Sequence, residues 1–367
     1  LAGGSHVRKS PYDRELLDIK FFDARGLDLA PEREKAVERL FFREDFYRAP
    51  AEETGVLSFP HAGTDRYRDG LLRTIDREVV RRAQLKIVLD YAFGPASAIF
   101  PAILGELGVE VISLNAYLDE TRIAKSAEEF RRSQDQLSNI VRTLGADLGV
   151  LLDTGGEKLF LVDEKGEIQP GELALVLMAL LAMRTHPPGA VVVPVTASQV
   201  VDRLADAHGF SVRRSRGSPR SLAEAALSPG VVLVAEELGG FIFPAFQPAF
   251  DAMAAVVKLL EMMARLEVRL HALVRQVPES HVTRGEVPCP NEEKGAVMRR
   301  LLAATKGQAV ELVEGVRVRM GQEWVAAIPD ADRACFHVVG ESADRDRARA
   351  LVEELKERIT AWRSEGP

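Results

Sequence analysis

The chain has 367 residues, 46% hydrophobic and 28% charged, with a formal net charge of −7. That length asks for two to four domains rather than one core, and the acidic balance argues against a nucleic-acid partner, which needs clustered basic residues. No apolar run reaches the roughly 18 residues of a membrane helix, so no membrane partner is expected.

In chain order, the start "LAGGSHVRKSP" reads as a glycine-rich loop with no strand before it. It lacks an initiator Met and a signal peptide, so residues upstream are expected to be missing and the chain to be part of a longer protein. "LLDIKFF" is a short strand, followed by a helix with Pro31 in its first turn and Val37, Leu40 and Phe41 on one face. A further helix is predicted over 65–83. "KIVLD" is a continuous apolar strand of the parallel-sheet kind, "GPASAIFPAILGELG" a helix and "VEVISL" a strand, which together make a βαβ unit. Ser126 and Glu129 form a capping box that opens the next helix, and "DLGVLLD" returns to the sheet.

The plan then recurs. The run Leu173 to Met183 reads as a buried helix, "AVVVPV" as a strand, "SQVVDRLADAHG" as a helix, and "FSVRRS" and "GVVLVAEE" as strands, with a long helix from Ala249 to Leu266. After Leu270 the pattern changes to short strands with two helices, an α+β region with mostly antiparallel pairing. The fold class read from this pattern is α/β, tandem domains with mixed, mainly parallel sheets, plus a C-terminal α+β domain. The boundaries expected are 1–76, 77–170, 171–268 and 269–367. Cys289 and Cys335 lie far apart in the sequence, without metal-ligand spacing, and read as reduced thiols of a cytoplasmic protein.

Four loops carry candidate chemistry. "GGSHVRKSP" exposes Ser5 and His6 among glycines, either a nucleophile loop or a plain polar loop. "LLDTGGEKLFLVDEKGE" is a strand, a tight loop with two carboxylates, Asp153 and Glu157, and a second strand. "VAEELGGFIFP" places Glu236, Glu237 and Gly239 after a strand, with Arg216 upstream in "RSRGSPRSL". "IPDADRACFHVVGE" carries Asp330, Asp332 and Arg333.

These loops, in this order and spacing, resemble those of the α-D-phosphohexomutases, the family of phosphoglucomutase and phosphomannomutase. The resemblance implies four domains around one cleft, each giving it one loop. It implies Ser5 as the phosphate-carrying residue in place of the Ser of Ser-His-Asn-Pro, with His6 kept but Val7 and Arg8 next. It sets "DTGGEK" against the family's Asp-Gly-Asp-x-Asp-Arg magnesium loop, with Asp153 kept, Gly155 for the second acid, Glu157 for the third and Lys158 for the Arg. Mg²⁺ wants near-octahedral oxygens at fixed distances, so a hairpin that no longer binds the metal tightly is favoured. It makes Glu236 the acid that holds sugar hydroxyls, keeps Gly239, and puts Leu238 in place of Ser. Arg216 is the candidate for phosphate in that segment. In the phosphate loop Ile328, Asp330 and Asp332 stand where the family has Arg, Ser and Thr. Two Asp there repel a dianion by about 1 kcal/mol per charge pair at 4 Å even in bulk water, and Arg333 offsets part of this.

The altered loops and the start of the chain resemble mutase-like C-terminal parts of sugar-1-phosphate nucleotidyltransferases, of the mannose-1-phosphate guanylyltransferase kind. The partners implied are a hexose phosphate, weakly held, and an upstream nucleotidyltransferase domain. Three functions remain open: a mutase that moves phosphate between the 1 and 6 positions of a hexose through phospho-Ser5, a non-catalytic module of the same fold, and a mutase of shifted specificity that binds a less charged ligand.

Overall fold

The computed structural model describes residues 2–10, 15–59 and 62–364; Leu1 and Pro11, at the two ends of the expected serine loop, lie outside them. The chain divides into two compact units, Leu1–Ile168 with Phe241–Glu267, and Gln169–Gly240 with Val268–Pro367.

The first unit begins with an antiparallel ribbon of β1 (Gly3–Lys9) and β2 (Leu17–Asp23). This corrects the expected serine loop. Ser5 lies within a strand, opposite Phe21. The glycines suggested a loop, but "LDIKFF" supplies a neighbour whose N–H and C=O groups pair with those of "GGSHVRK", and paired backbone is favoured over an open loop. Helix α1 (Pro31–Phe42) has Pro31 in its first turn as expected, yet none of its residues is buried. The single helix expected over 65–83 is two, α2 (Gly63–Leu72) and α3 (Arg77–Ala83). The break lies at Asp76, whose carboxylate caps α3 by accepting from the Val79 N–H at 3.3 Å. The Asp76 N–H itself donates to Glu261 at 3.0 Å.

Strands β3 (Lys86–Asp90), β4 (Glu110–Leu114), β5 (Leu148–Leu152) and β6 (Leu159–Asp163) follow, with α4 (Phe100–Glu106) and α5 (Ala127–Leu144) between them. The sheet order is β4-β3-β5-β6, parallel except for β6, which folds back antiparallel on β5. The capping box of Ser126 and Glu129 is present at the start of α5. That helix buries Leu137 and Val141 against Val88 and Val162 of the sheet.

In the second unit α6 (Gly171–Thr185) is the buried helix expected from the longest apolar run, with ten consecutive buried residues from Ala174 to Met183. Strands β7 (Ala190–Pro194), β8 (Ser211–Ser215) and β9 (Val231–Ala235) alternate with α7 (Val200–His208) and α8 (Pro219–Ala226). The parallel order β8-β7-β9 repeats β4-β3-β5 of the first unit.

Strand β10 (Phe241–Ile242) and α9 (Ala252–Leu266) belong to the first unit. Helix α9 starts three residues later than the sequence suggests. Asp251 caps it, accepting from the Ala254 N–H at 2.9 Å and from the Tyr67 hydroxyl at 2.8 Å.

The rest of the second unit is α10 (Leu270–Val274), β11 (His281–Pro288), α11 (Asn291–Ala304), β12 (Ala309–Glu311), β13 (Val316–Met320), β14 (Glu323–Pro329), β15 (Cys335–Ser342) and α12 (Arg345–Ser364). Its sheet, β11-β15-β14-β13-β12, is antiparallel throughout. Val287, Phe336 and Val338 of the sheet form its core with Val297, Leu301, Val352 and Ile359 of α11 and α12. The architecture is the α/β class with mainly parallel sheets and a C-terminal α+β portion. Among the described residues no helix is long and apolar enough to cross a membrane.

Candidate functional site

The acidic hairpin joins β5 to β6. Asp153 leaves β5 and turns its carboxylate back onto its own loop, where Oδ1 accepts the N–H groups of Glu157 at 2.7 Å and Lys158 at 2.8 Å. Burial raises its pKa above the ordinary value. The hydrogen bonds from the loop N–H groups oppose the rise, and the neighbouring Glu157 charge adds to it. Asp153 therefore acts as the organiser of the turn. Glu157 reaches outward to the ribbon, where it accepts from Lys20 Nζ at 2.7 Å and from Arg8 Nη1 at 3.4 Å.

The ribbon explains why those two cations meet Glu157. Side chains alternate along a strand, and directly opposed residues share a face. His6 opposes Lys20 and Arg8 opposes Asp18, so these four lie on one face. Ser5 opposes Phe21, and both lie on the other face. The strand thus parts Ser5 from His6, the two residues expected to act together, and turns Ser5 away from the charges around Glu157. Gly155 completes the arrangement. A Cβ there would lie 2.8 Å from Arg8 Nη1, so the guanidinium fills the space that a larger residue would take.

Two cavities flank the hairpin within this unit. One, of ≈ 320 Å³, is lined by His6, Arg8, Lys9, Glu120, Thr154 and Gly155 among others. The other, of ≈ 570 Å³, is lined by Lys125, Arg131, Asp153 and Lys158 together with Phe130 and Phe160. Burial lowers the pKa of Lys125, against the pull of the Asp90 and Glu129 charges.

In the second unit Glu236 and Gly239 share one turn after β9. The Gly239 N–H donates to the Glu236 carbonyl at 3.3 Å, and Gly239 has a φ of +89°, a conformation that a glycine adopts without strain. Glu236 is buried. Its neighbour Glu237 accepts from Thr196 at 2.7 Å and from Arg284 at 3.1 Å. The contacts of the Arg216 segment lie with another loop: the Arg216 Nε donates to the Val313 carbonyl at 3.4 Å, and the next N–H, that of Gly217, donates to Glu314 at 2.8 Å.

The loop after β14 also differs from expectation. Two repelling Asp were foreseen, with Arg333 as the compensating charge. Instead Asp330 is compensated locally, and Arg333 turns to Glu286, donating at 2.8 and 2.7 Å. Asp330 Oδ1 accepts the N–H groups of Asp332 and Arg333, both at 2.8 Å, and Oδ2 pairs with His337 Nε2 at 2.7 Å. The Arg333 and Asp332 N–H groups, then His337, hold the Asp330 carboxyl well below the usual range. Arg8, Lys20, Glu286 and His337 are the residues that the sequence did not single out. The pairs of Glu157 with Arg8 and Lys20 span 149 and 137 residues, and no local spacing reports them.

Magnesium does not fit the hairpin. Asp153 spends one oxygen on backbone N–H groups, and Glu157 is already matched by an ammonium and a guanidinium, where Mg²⁺ would need fixed, open oxygens.

The acidic hairpin and the glutamate turn thus lie on tandem α/β layers with one strand order, beside an antiparallel C-terminal sheet. Residues 65–166 match the family model for phosphoglucomutase/phosphomannomutase alpha/beta/alpha domain II, and residues 170–281 match that for domain III. The chain belongs to the α-D-phosphohexomutase family. It is 28% identical over 352 residues to a phosphoglucomutase/phosphomannomutase of Thermococcus kodakarensis, covering 96% of this chain and 77% of that one. It is 29% identical over 358 residues to a probable phosphoglucosamine mutase of Methanopyrus kandleri, covering 97% and 78%. Among solved structures, a phosphoglucomutase/phosphomannomutase family protein of Burkholderia thailandensis superposes with a TM-score of 0.81 at 17% identity, covering 97% of this chain and 75% of that one. The Aspergillus fumigatus N-acetylphosphoglucosamine mutase, solved with GlcNAc-6P and magnesium, superposes with a TM-score of 0.67 at 11% identity, covering 98% and 89%. Both likenesses concern the fold.

Proposed function

We propose that this chain is a hexose-phosphate-binding member of the mutase fold in which phosphoryl transfer through Ser5 has been lost. The observation that carries this reading is the state of the hairpin. Glu157 is closed off by Lys20 and Arg8, and Ser5 lies on the opposite face of the ribbon from both. A phosphoserine needs cations close by to offset its charge as phosphate leaves or arrives, and here the cations serve a carboxylate. Sugar-phosphate binding is supported by the ≈ 570 Å³ cavity with Lys125, Arg131 and Lys158 in its lining, a size suited to a small ligand. In this reading Glu236 and Gly239 are the residues for sugar hydroxyls and Arg216 the residue for phosphate, while Arg333, the other phosphate residue expected from the sequence, is engaged by Glu286. The reading includes the four-part division 1–76, 77–170, 171–268 and 269–367, and a parent protein in which a nucleotidyltransferase of the mannose-1-phosphate guanylyltransferase kind accompanies this module.

The second reading keeps Ser5 as the phosphate carrier and His6 beside it, and is favoured by Ser5 being exposed. Intact-mass measurement, together with a coupled mutase assay in millimolar Mg²⁺, separates the two. The first reading expects no phosphate on Ser5, no turnover and no magnesium-dependent shift in melting temperature. It also expects calorimetry to give hexose-phosphate affinities weaker than micromolar, which is to say less than about 8 kcal/mol of binding free energy. Turnover that disappears in Ser5→Ala would instead establish the mutase.

A further inference from the structure

We propose that Asp330, Cys335 and His337 form a three-ligand site for a borderline divalent metal ion of the Zn²⁺ class, at the turn between β14 and β15. One ligand atom from each of the three lies within 4.8 Å of the others. Cys335 and His337 are two apart on β15 and so project from the same face of the strand, and the turn brings Asp330 back over them. The ligand set is carboxylate, thiolate and imidazole. Hard Mg²⁺ avoids thiolate, whereas Zn²⁺, Co²⁺ and Ni²⁺ accept all three.

The surroundings supply a second, independent sign. His337 meets Asp330 through Nε2 at 2.7 Å, and its other nitrogen, Nδ1, lies 3.5 Å from Glu286 Oε1. Glu286 faces His337 directly across the β11–β15 ladder. A carboxylate on the far nitrogen of a histidine is the usual way to fix the tautomer and ring orientation of a metal ligand. Glu286 is in turn held by Arg333 at 2.7 Å.

The charges balance once the ion is in place. A dication with the Asp330 carboxylate and the Cys335 thiolate is neutral, and Glu286 is neutralised by Arg333. As the metal–sulfur bond forms, the Cys335 S–H bond breaks and its proton passes to solvent, with no change of oxidation state. Tetrahedral ligands at Zn–O and Zn–N of about 2.0–2.1 Å stand about 3.3 Å apart. His337 must therefore draw back from Asp330 by about half an ångström on metal entry, and its side chain is 37% exposed. Residues 331–334 are exposed above the site, so the fourth position faces solvent and takes water or an anionic oxygen.

The test uses the full chain, stripped with a chelator and titrated with Co²⁺. The expected result is one equivalent bound, a sulfur-to-cobalt charge-transfer band in the near ultraviolet, intense visible bands of tetrahedral cobalt, and displacement by Zn²⁺. Cys335→Ser should abolish the ultraviolet band, whereas Cys289→Ser should leave it. Glu286→Gln should keep the band but weaken binding by about 10–100-fold. A wild-type chain without the band, or a band that survives in Cys335→Ser, would overturn the proposal and leave an Asp–His pair beside a buried thiol. Should Cys335→Ser fail to fold, His337→Gln decides the same point, since undiminished Co²⁺ affinity in that variant also overturns it.

Discussion

Asp153 and Asp330 each cap the loop that follows their strand, with opposite electrostatic results. Each follows a strand, β5 or β14, whose antiparallel mate comes next in the chain, and each accepts two N–H groups of its own loop on Oδ1. Yet the Asp153 carboxyl is pushed up by burial, and the Asp330 carboxyl is pulled down by those N–H groups and by His337. The same number of N–H groups on Oδ1, from residues four and five ahead of Asp153 and two and three ahead of Asp330, leaves the sign to the surroundings. Where packed protein strips water from the carboxylate, desolvation wins; where the loop is open and a histidine stands close, the hydrogen bonds win. The two loops also dispose of their second acid or base differently. The hairpin sends Glu157 to two cations on a distant ribbon, while the other loop keeps the partners of Asp330 within seven residues and sends Arg333 to Glu286, 47 residues away.

The sharpest way to break the comparison is to delete each aspartate. Asp153→Ala leaves two N–H groups without acceptors in a half-buried loop and should cost about 2–3 kcal/mol. Asp330→Ala removes a similar cap at an open edge and should cost about 1 kcal/mol. Urea unfolding of the two variants measures the difference, and equal losses would mean that burial does not distinguish the loops.

The opposite shifts give opposite pH dependences, measured in chelator so that no metal intervenes. The Asp330 contribution is fully present above its unfolded pKa of about 3.9, and is lost as pH falls from there toward its depressed folded value. Asp330→Asn should therefore flatten the acid limb of the stability curve. Asp153, with its raised value, favours the folded state most when protonated, and that contribution is lost as pH rises through its folded pKa. Asp153→Asn should remove the decline of stability that accompanies the rise in pH from the unfolded value of about 3.9 through that folded pKa. Slopes of the same sign in the two variants would refute the account.

How much of this was legible in the sequence depends on distance along the chain. "KIVLD", "AVVVP" and the capping box at Ser126 and Glu129 announce their elements because the signal is local, and the repeated strand order followed from them. Strand β1 was missed because Gly3 and Gly4 outweighed the alternation of "SHVRK", which only gains meaning beside β2. Arg8 and Lys20 were missed as partners of Glu157 because the contact crosses more than a hundred residues. Asp330, Cys335 and His337 are different: they lie within eight residues of sequence, but their grouping shows only once the turn folds the acid before it back onto the Cys and His after it.

Lys20 and Arg8 hold Glu157 at a partly exposed site, with side-chain exposures of 31%, 20% and 32%. Lys20→Ala should cost under about 1 kcal/mol, as ion pairs in water do. The smallest change tests the space instead of the charge. Gly155→Ala places a methyl 2.8 Å from Arg8 Nη1, closer than carbon and nitrogen can sit. What yields most is the far end of a flexible side chain; Asp153 Oδ2, 3.2 Å from the new methyl, gives by a few tenths of an ångström, so the loop backbone need not move. Arg8 should swing out, giving up its 3.4 Å contact with Glu157, while Lys20 keeps its own at 2.7 Å. The net cost should stay within about 0.5 kcal/mol, the range of substitutions that disturb no buried feature, read as the urea midpoint at unchanged slope. A loss of several kilocalories would mean that Arg8 is locked in place and that the ribbon and hairpin act as one rigid piece.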